Sequence, residues 1–352
     1  MKFTVFADLH YKKRMYAQTV SNLNTIFDRA HAHGAEAVLC LGDFCNDFRG
    51  SPEIVSAFLN NRYGFPVYNV YGNHELETMG NTMELVTPLL TNREVNWGHG
   101  IEDGSIGYYW FDTDDFRFVA LDTNYSFNPE MNDWEHNREG SWGAPGSAGL
   151  PGCNMYPHSL NPRQIEWLRE VLSDAAELGK RCILLSHAPL ISLMDARVYE
   201  SRAVEKIIDA VNQRRPGTVI MCINGHRHTD AFMVRNGVVY FDVNTVLSGA
   251  WKVKKDFHYE DGQGFEFTDY DADGREISKE HMDYNSLRQG SNTWFFDSPL
   301  SANITVEGNK LTIEGSRCGW VFGVEPDLDS FSADTASRVT PGISSHTYIF
   351  EE

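Results

Sequence analysis

The sequence predicts an α/β fold, and three observations carry that prediction. Short apolar runs rich in β-branched and aromatic residues alternate with amphipathic stretches over residues 1–71, and the alternation returns over residues 161–223. Strands and helices that pack in layers leave this pattern. Five of the apolar runs lead directly into polar clusters: Asp8-Leu9-His10, Gly42-Asp43, Gly72-Asn73-His74-Glu75, Ser186-His187 and Gly225-His226-Arg227-His228. In an open α/β sheet the carboxyl ends of the strands border one crevice, so the five clusters imply one site.

In chain order, residues 3–7 form the first strand, and residues 15–33 a helix with Val20, Leu23, Ile26, Phe27 and Ala30 near helical spacing. Gly34 ends it, since glycine accepts the left-handed conformation just past a helix. Strand 35–41, a helix near 52–61 and strand 65–71 follow. From Gly107 the pattern turns antiparallel, with residues 108–111 and 116–121 flanking Asp112-Thr113-Asp114-Asp115 as a hairpin turn. Residues 123–159 lose periodicity. A loop that long inside a compact domain is functional or disordered, and Tyr125, Trp134, Trp142 and Tyr156 favour a folded flap.

Helical order resumes at Asn161-Pro162, a capping residue followed by proline at the first helical position. Strand 181–185, helix 202–213 and strand 218–223 complete the α/β part, and residues 231–234 and 238–243 make a hairpin about Asn236-Gly237. The main domain is therefore read as 1–248, with 123–159 as a long insert, and 249–352 as a β-rich extension packed on the core. In that extension Ala302, Ile304 and Val306 alternate against Leu311 and Ile313 across Gly308-Asn309, while residues 327–345 are polar and unpatterned.

Composition excludes several classes. A formal charge of −19 disfavours a protein that tracks long nucleic acid, which needs a basic stripe to exchange for counterions. A small anionic substrate stays admissible if bound cations neutralise some of the acids. Six cysteines, Cys40, Cys45, Cys153, Cys182, Cys222 and Cys318, without a Cys-x-x-Cys pair fit a reduced compartment. With a core strand at the start and no run near the roughly 18 apolar residues of a membrane span, a cytoplasmic protein with no membrane partner is expected. The phosphate-loop, dinucleotide-binding and nucleophile-elbow motifs are absent.

Each polar cluster has a plain explanation by itself. Asp8-Leu9-His10 reads as a cap and a loop histidine, Gly42-Asp43 as a turn, and a lone His187 as a hydrogen-bonded core residue. Together they supply two carboxylates, an amide and four imidazoles, donors that suit first-row metals such as Mn, Fe and Zn. Seven ligands exceed the needs of one such ion. Two ions sharing a bridging Asp would use them all.

These blocks, Asp-x-His, Gly-Asp, Gly-Asn-His-Glu, a lone His and Gly-His-x-His, run in that order from Asp8 to His228. They resemble the pattern of the calcineurin-like metallophosphoesterases. The resemblance implies an α/β fold of four layers, an αββα sandwich. It implies a first metal held by Asp8, His10 and His228, a second by Asn73, His187 and His226, and Asp43 as the bridge. His74 would touch the phosphate and assist the leaving oxygen. The cofactors would be two divalent or trivalent ions, Mn, Fe or Zn. The reaction would be hydrolysis of a phosphodiester or phosphomonoester by a metal-bridging hydroxide.

Departures from the common pattern narrow this reading. Asn46 stands where many members carry the second Asp of Gly-Asp-x-x-Asp, and Asp47 lies one further on. That form resembles the branch with cyclic-nucleotide phosphodiesterases and tilts the expectation towards a diester. Ser186-His187-Ala188-Pro189 replaces the frequent His-His-Pro-Pro. No tyrosine follows Gly42-Asp43 as in purple acid phosphatases, and Tyr11 is read as a rim residue. The Gly-Asp-x-x-Asp-Arg-Gly form of protein phosphatases is also missing. The expected partner is a small phosphate ester of nucleotide type. Two alternatives stay open: a non-catalytic metal-binding scaffold, and a nucleotide pyrophosphate hydrolase using the same site.

Asp269-x-Asp271-x-Asp273-Gly274 with Glu280 matches the written calcium-loop pattern. Phe265 and Phe267 alternate like a strand, however, so a β-hairpin is favoured over calcium. Arg227 is read as facing the substrate or salt-bridging a neighbouring acid, and His136, Trp142 and His258 are candidate pocket walls; packing or exposure is the favoured reading for each.

Overall fold

The computed structural model describes residues 1–11, 16–45, 52–75, 91–98, 107–128, 133–136, 158–191, 201–249, 260–270, 276–283, 294–323, 325–330 and 332–351. In chain order the elements are β1 (Lys2–Phe6), α1 (Tyr16–His33), β2 (Ala37–Cys40), α2 (Pro52–Leu59), β3 (Val67–Asn69), β4 (Asn96–Trp97), β5 (Tyr109–Asp112), β6 (Phe116–Leu121), β7 (Tyr125–Asn128) and β8 (Asp133–His136). There follow α3 (Pro162–Glu177), β9 (Arg181–Ser186), α4 (Ser201–Arg214), β10 (Val219–Asn224), β11 (Ala231–Arg235), β12 (Val238–Asp242), β13 (Ser248–Gly249), β14 (Gly264–Tyr270), β15 (Glu276–Asp283), β16 (Trp294–Phe295), β17 (Ala302–Glu307), β18 (Lys310–Gly315) and β19 (His346–Ile349).

Two sheets dominate. The first has the order β19-β18-β17-β1-β2-β3 and the second β11-β12-β10-β9-β6-β5-β4. Strands β1, β2 and β3 are parallel, as are β6, β9, β10 and β12. Antiparallel pairs extend both sheets outward.

Period-two alternation in the central strands explains the layering. Phe3, Val5, Leu39, Phe118, Ala120, Ile183 and Leu185 all join the core between the sheets. Their neighbours turn the other way: Phe6, Val38 and Cys40 pack with Leu23, Ile26 and Phe27 of α1 and Ile54 and Phe58 of α2. Val119, Leu121, Cys182 and Leu184 pack with Leu168 and Leu172 of α3 and Val204 and Ile208 of α4. Helices therefore cover both outer faces, giving the expected αββα sandwich. The Asn161 side chain caps α3, accepting from Gln164 N at 2.7 Å.

The late strands complete the first sheet: β17 pairs with β1, Lys2 opposite Thr305, and β18 and β19 continue outward. The hairpins expected at Asn236-Gly237 and Gly308-Asn309 form β11–β12 and β17–β18. Inside the unpatterned insert, β7 and β8 make a two-stranded ribbon; Trp142, Tyr156 and the rest of 137–157 lie outside the described residues. Strands β14 and β15 flank the acidic motif in place of helices, and Asp271, Asp273 and Gly274 lie outside the described residues. None of the five described cysteines is bridged. No helix among the described residues is long and apolar enough to cross a membrane.

One buried ion network ties a helix to the second sheet. The Arg117 guanidinium in β6 donates to both Asp112 oxygens at 2.9 and 3.1 Å, to Asp174 at 2.6 Å and to the Val171 carbonyl at 3.0 Å on α3. Asp112 keeps Lys180 Nζ at 3.3 Å and Asp174 is more than half exposed, so truncation removes these contacts and the packing of the buried guanidinium without leaving bare buried charges. Arg117→Ala is expected to lower stability by about 1–2 kcal/mol in urea unfolding while leaving Mn²⁺ affinity unchanged. Unaltered unfolding would contradict this anchoring role.

Candidate metal centre

Asp8 and His10 follow β1, Asp43 follows β2, Asn73 and His74 follow β3, His187 follows β9, and His226 and His228 follow β10. The loops leaving the parallel strands are stitched together by backbone hydrogen bonds. Asp8 N donates to Gly42 O at 3.0 Å, His10 N to Asp43 O at 2.9 Å, and Tyr11 N to Phe44 O at 3.0 Å. Within the second sheet Gly225 N donates to His187 O at 3.1 Å, and across the sheets the Asp8 carboxylate accepts His226 N at 2.9 and 3.2 Å.

Glu75 locks the β2 and β3 loops. Its buried carboxylate accepts from Gly72 N at 2.6 Å, Phe44 N at 2.7 Å, Asp43 N at 3.0 Å and Cys45 N at 3.2 Å. His74 N in turn donates to Asp43 Oδ1 at 2.9 Å. Approach here is so close that a Cβ on Gly72 would lie 2.1 Å from Asp43 Oδ1, and one on Gly225 2.7 Å from Asp8 Oδ2. Only glycine fits either position.

The backbone is also strained. Six described non-glycine residues have positive φ, and five of them are Asp8 (56°), His10 (49°), Asp43 (50°), His226 (71°) and His228 (53°). Such conformations are uncommon outside glycine and concentrate where function imposes them.

The side chains converge in two sets. In the first, His10 Nε2 lies 2.9 Å from His228 Nε2, and His228 Nε2 lies 3.2 Å from Asp8 Oδ1. In the second, His187 Nε2 is 3.1 Å from His226 Nδ1, 3.1 Å from Asn73 Oδ1 and 3.3 Å from Asp43 Oδ2. Asp43 Oδ2 also lies 3.8 Å from His10 Nε2, so it faces both sets. The donor atoms of Asp8, His10 and His228 all fall within 4.8 Å of one another, as do those of Asp43, His187 and His226, and those of His10, Asp43 and His74. His74 stands edge-on to His10, with ring centroids 4.7 Å apart.

Electrostatics favours ligation. Burial lowers His10 to about 3, reinforced by His228 and His74 and opposed by the Asp43 and Asp8 carboxylates. Burial also holds His226 well below its ordinary value, helped by His158 and His187. Both rings are therefore neutral and carry a lone pair. His187 Nδ1 lies 2.8 Å from the Leu41 carbonyl; a carbonyl only accepts, so Nδ1 carries the hydrogen and Nε2 is turned to the set. Burial would lower His187, but the Asp43 and Asp8 carboxylates outweigh it and raise the ring to about 10. Asp43 is held well below its ordinary value despite burial, through His187 and His74. Imidazoles, an amide oxygen and carboxylates gathered at these distances fit first-row cations.

All eight residues singled out in the sequence thus meet in one place. Two further groups were not read from it. Glu75 stands in one of the blocks, where the sequence assigns it no role. His158 is buried beside His226, and burial lowers it to about 4; it follows no strand and had no signal. Tyr11 is a correction: it is buried and its hydroxyl donates to Glu53 Oε1 at 2.5 Å, so it lines the core and not a rim. Asn46, Asp47 and His258 lie outside the described residues.

A family model described as calcineurin-like phosphoesterase matches residues 1–230. The manganese-dependent ADP-ribose/CDP-alcohol diphosphatase of Arabidopsis thaliana is 22% identical over 264 residues, covering 66% of this chain and 81% of the relative. A crystal structure of a dimetal phosphatase from Danio rerio shares the fold with a TM-score of 0.55 at 14% identity, covering 90% of this chain and 95% of that one.

Two outcomes follow from this geometry. Glu75→Gln turns an amide N–H₂ against backbone donors, and should lower stability by about 2–4 kcal/mol and weaken Mn²⁺ about tenfold or more, measured by unfolding and calorimetry. Equal affinity and stability would refute the locking role. His187 holds its proton up to about 10, and an ion entering its set must displace it. Mn²⁺ affinity should therefore fall as pH drops below that value, with a proton released on binding. Titrations in buffers of different ionisation enthalpy read that release directly, and its absence at pH 7 would contradict the assignment.

Proposed function

Because the chain belongs to the calcineurin-like phosphoesterase family and is a metal-dependent phosphohydrolase, we propose that it cleaves a phosphodiester or diphosphate linkage in a small, nucleotide-like molecule at a two-ion centre. Asp8, His10 and His228 would hold one ion, Asn73, His187 and His226 the other, with Asp43 between them. The observation that carries this reading is that two donor sets, each compact enough for one ion, share the Asp43 carboxylate. Ions held by these residues would activate a water as nucleophile and polarise the phosphoryl oxygens.

The chain's own residues supply the rest. Glu75 and the Asp8–His226 contact fix the loops before substrate arrives, so little reorganisation accompanies reaction. His74 is partly exposed, does not belong to either ion's set in this reading, and is positioned to donate to the leaving oxygen. Its backbone bond to Asp43 Oδ1 ties its position to the shared carboxylate.

Two substrate classes have specific support. The Gly-Asp-x-x-x-Asp spacing favours a diester. The Arabidopsis relative, named for action on ADP-ribose and CDP-alcohols, favours a diphosphate. A non-catalytic scaffold is disfavoured because His74, which such a protein does not need, accompanies the full donor set.

Metal-stripped protein given Mn²⁺ should regain turnover of an aryl phosphodiester or a dinucleotide diphosphate in preference to an aryl monoester. Asp43→Asn should abolish that recovery, and His74→Ala should lower kcat about 10²- to 10⁴-fold with Mn²⁺ still bound. Binding of Mn²⁺ without turnover of any of the three would favour the scaffold.

A further inference from the structure

His158 sits at the entry to α3. Its backbone neighbour Ser159 forms an isolated parallel bridge with Asn124, Ser159 N donates to Thr123 O at 3.1 Å, and Tyr125 N donates to Ser159 O at 3.3 Å. The residue is thereby pinned beside the end of β6. Its side chain is only 5% exposed, and its ring stands edge-on to His226 at 4.3 Å between centroids and 71° between planes. His187 lies further off, at 6.4 Å.

The Thr123 backbone lies near enough to His158 to oppose the lowering of its ring, but by distance and angle neither ring nitrogen makes a full hydrogen bond among the described residues. Burying a donor and an acceptor unmet costs their full desolvation, and an apolar ring of similar size would avoid that loss. Keeping an imidazole here makes physical sense if a partner arrives from outside the chain. The nitrogens do not belong to either compact donor set, so the ring is not placed as an ion ligand. It flanks the second set at His226 as His74 flanks the first at His10. A group that enters between two cations and meets an N–H beyond them is a phosphoryl oxygen.

We propose that His158 is a substrate-binding residue whose ring N–H donates to a non-bridging phosphoryl oxygen on the His226 side, so that the centre grips two linked phosphoryl groups better than one. The proposal rests on the two-ion reading of the site. A diphosphate spans both ends of the cluster, one phosphoryl group near His74 and the other near His158. A monoester engages only one of these imidazoles.

The test uses full-length, Mn²⁺-loaded protein with inorganic pyrophosphate and inorganic phosphate as probes, titrated calorimetrically. His158→Leu should bind Mn²⁺ as the parent does, match or exceed its Tm because two unmet polar atoms are gone, and bind pyrophosphate about tenfold more weakly. Phosphate should be affected less. His158→Gln, which restores an N–H donor, should recover part of the pyrophosphate affinity. With a dinucleotide diphosphate, the leucine variant should show the change mainly in KM. Unchanged pyrophosphate binding, a parent that does not bind pyrophosphate, or recovery by neither variant with an equally weakened Mn²⁺ site would overturn the proposal. Failure of the two-ion reading itself looks different: the parent protein would then take up no Mn²⁺ and turn over none of the substrates.

Discussion

Four backbone N–H groups converge on the Glu75 carboxylate, and most of the site's geometry depends on that convergence. The donors come from two loops, Gly72 after β3 and Asp43, Phe44 and Cys45 after β2. Phe44 and Cys45 pack into the core beside α1 and α2, and backbone bonds from Asp8, His10 and Tyr11 hold the β2 loop to the β1 loop. The regular ladders end before these residues, however, and the Glu75 carboxylate ties the β2 loop to the β3 loop. Burial and the nearby Asp43 charge push Glu75 up to about 7, against the four N–H groups, which favour the ionised form. A neutral acid would still fill the space, but it would accept fewer of the four. The lock is therefore a carboxyl group poised between burial, which favours its neutral form, and four backbone donors, which favour its charge.

From that lock the strain becomes intelligible. A positive φ at Asp8, His10, Asp43, His226 and His228 costs on the order of 1 kcal/mol or more at each position. What each gains is direction. The strand would carry the next side chain to one face or the other of the sheet, whereas the left-handed residue turns it back across the strand end towards the partner sheet. Two sheets, each supplying loops at its parallel strand ends, can then face their donors into one volume. The first sheet contributes Asp8, His10, Asp43 and Asn73, and the second contributes His187, His226 and His228.

Much of this was legible in the sequence because the signal was local. A buried parallel strand reads as an apolar run, and a polar cluster at its end reads as a loop at the sheet's edge; Val219–Asn224 followed by Gly225-His226-Arg227-His228 is the clearest case. Hairpins at Asn236-Gly237 and Gly308-Asn309 announced themselves through turn chemistry. Strand β19 did not, because an edge strand half open to solvent carries little apolar alternation. Nor could local pattern reveal that β17 would pair with β1 across some three hundred residues of chain. Tyr11 and His158 were misjudged or missed for the same reason: their burial comes from contacts distant in sequence, Glu53 for one and His226 for the other.

The charge pattern at the centre explains why the donor set favours cations over direct pairing among its own members. His10 and His226 are held neutral by burial, so they offer lone pairs but little positive charge to the carboxylates around them. The Asp43 and Asp8 carboxylates raise His187, but one imidazolium cannot serve both of them. A hydrogen bond between His10 and His228 satisfies one nitrogen lone pair at most, since one ring must donate and the other accept. Divalent ions meet every lone pair at once and balance the carboxylates, relieving the desolvation that burial imposed. Strain, burial and charge are thus consistent with a single requirement, that the strand-end loops close around cations, and the Glu75 carboxylate holds two of those loops ready for it.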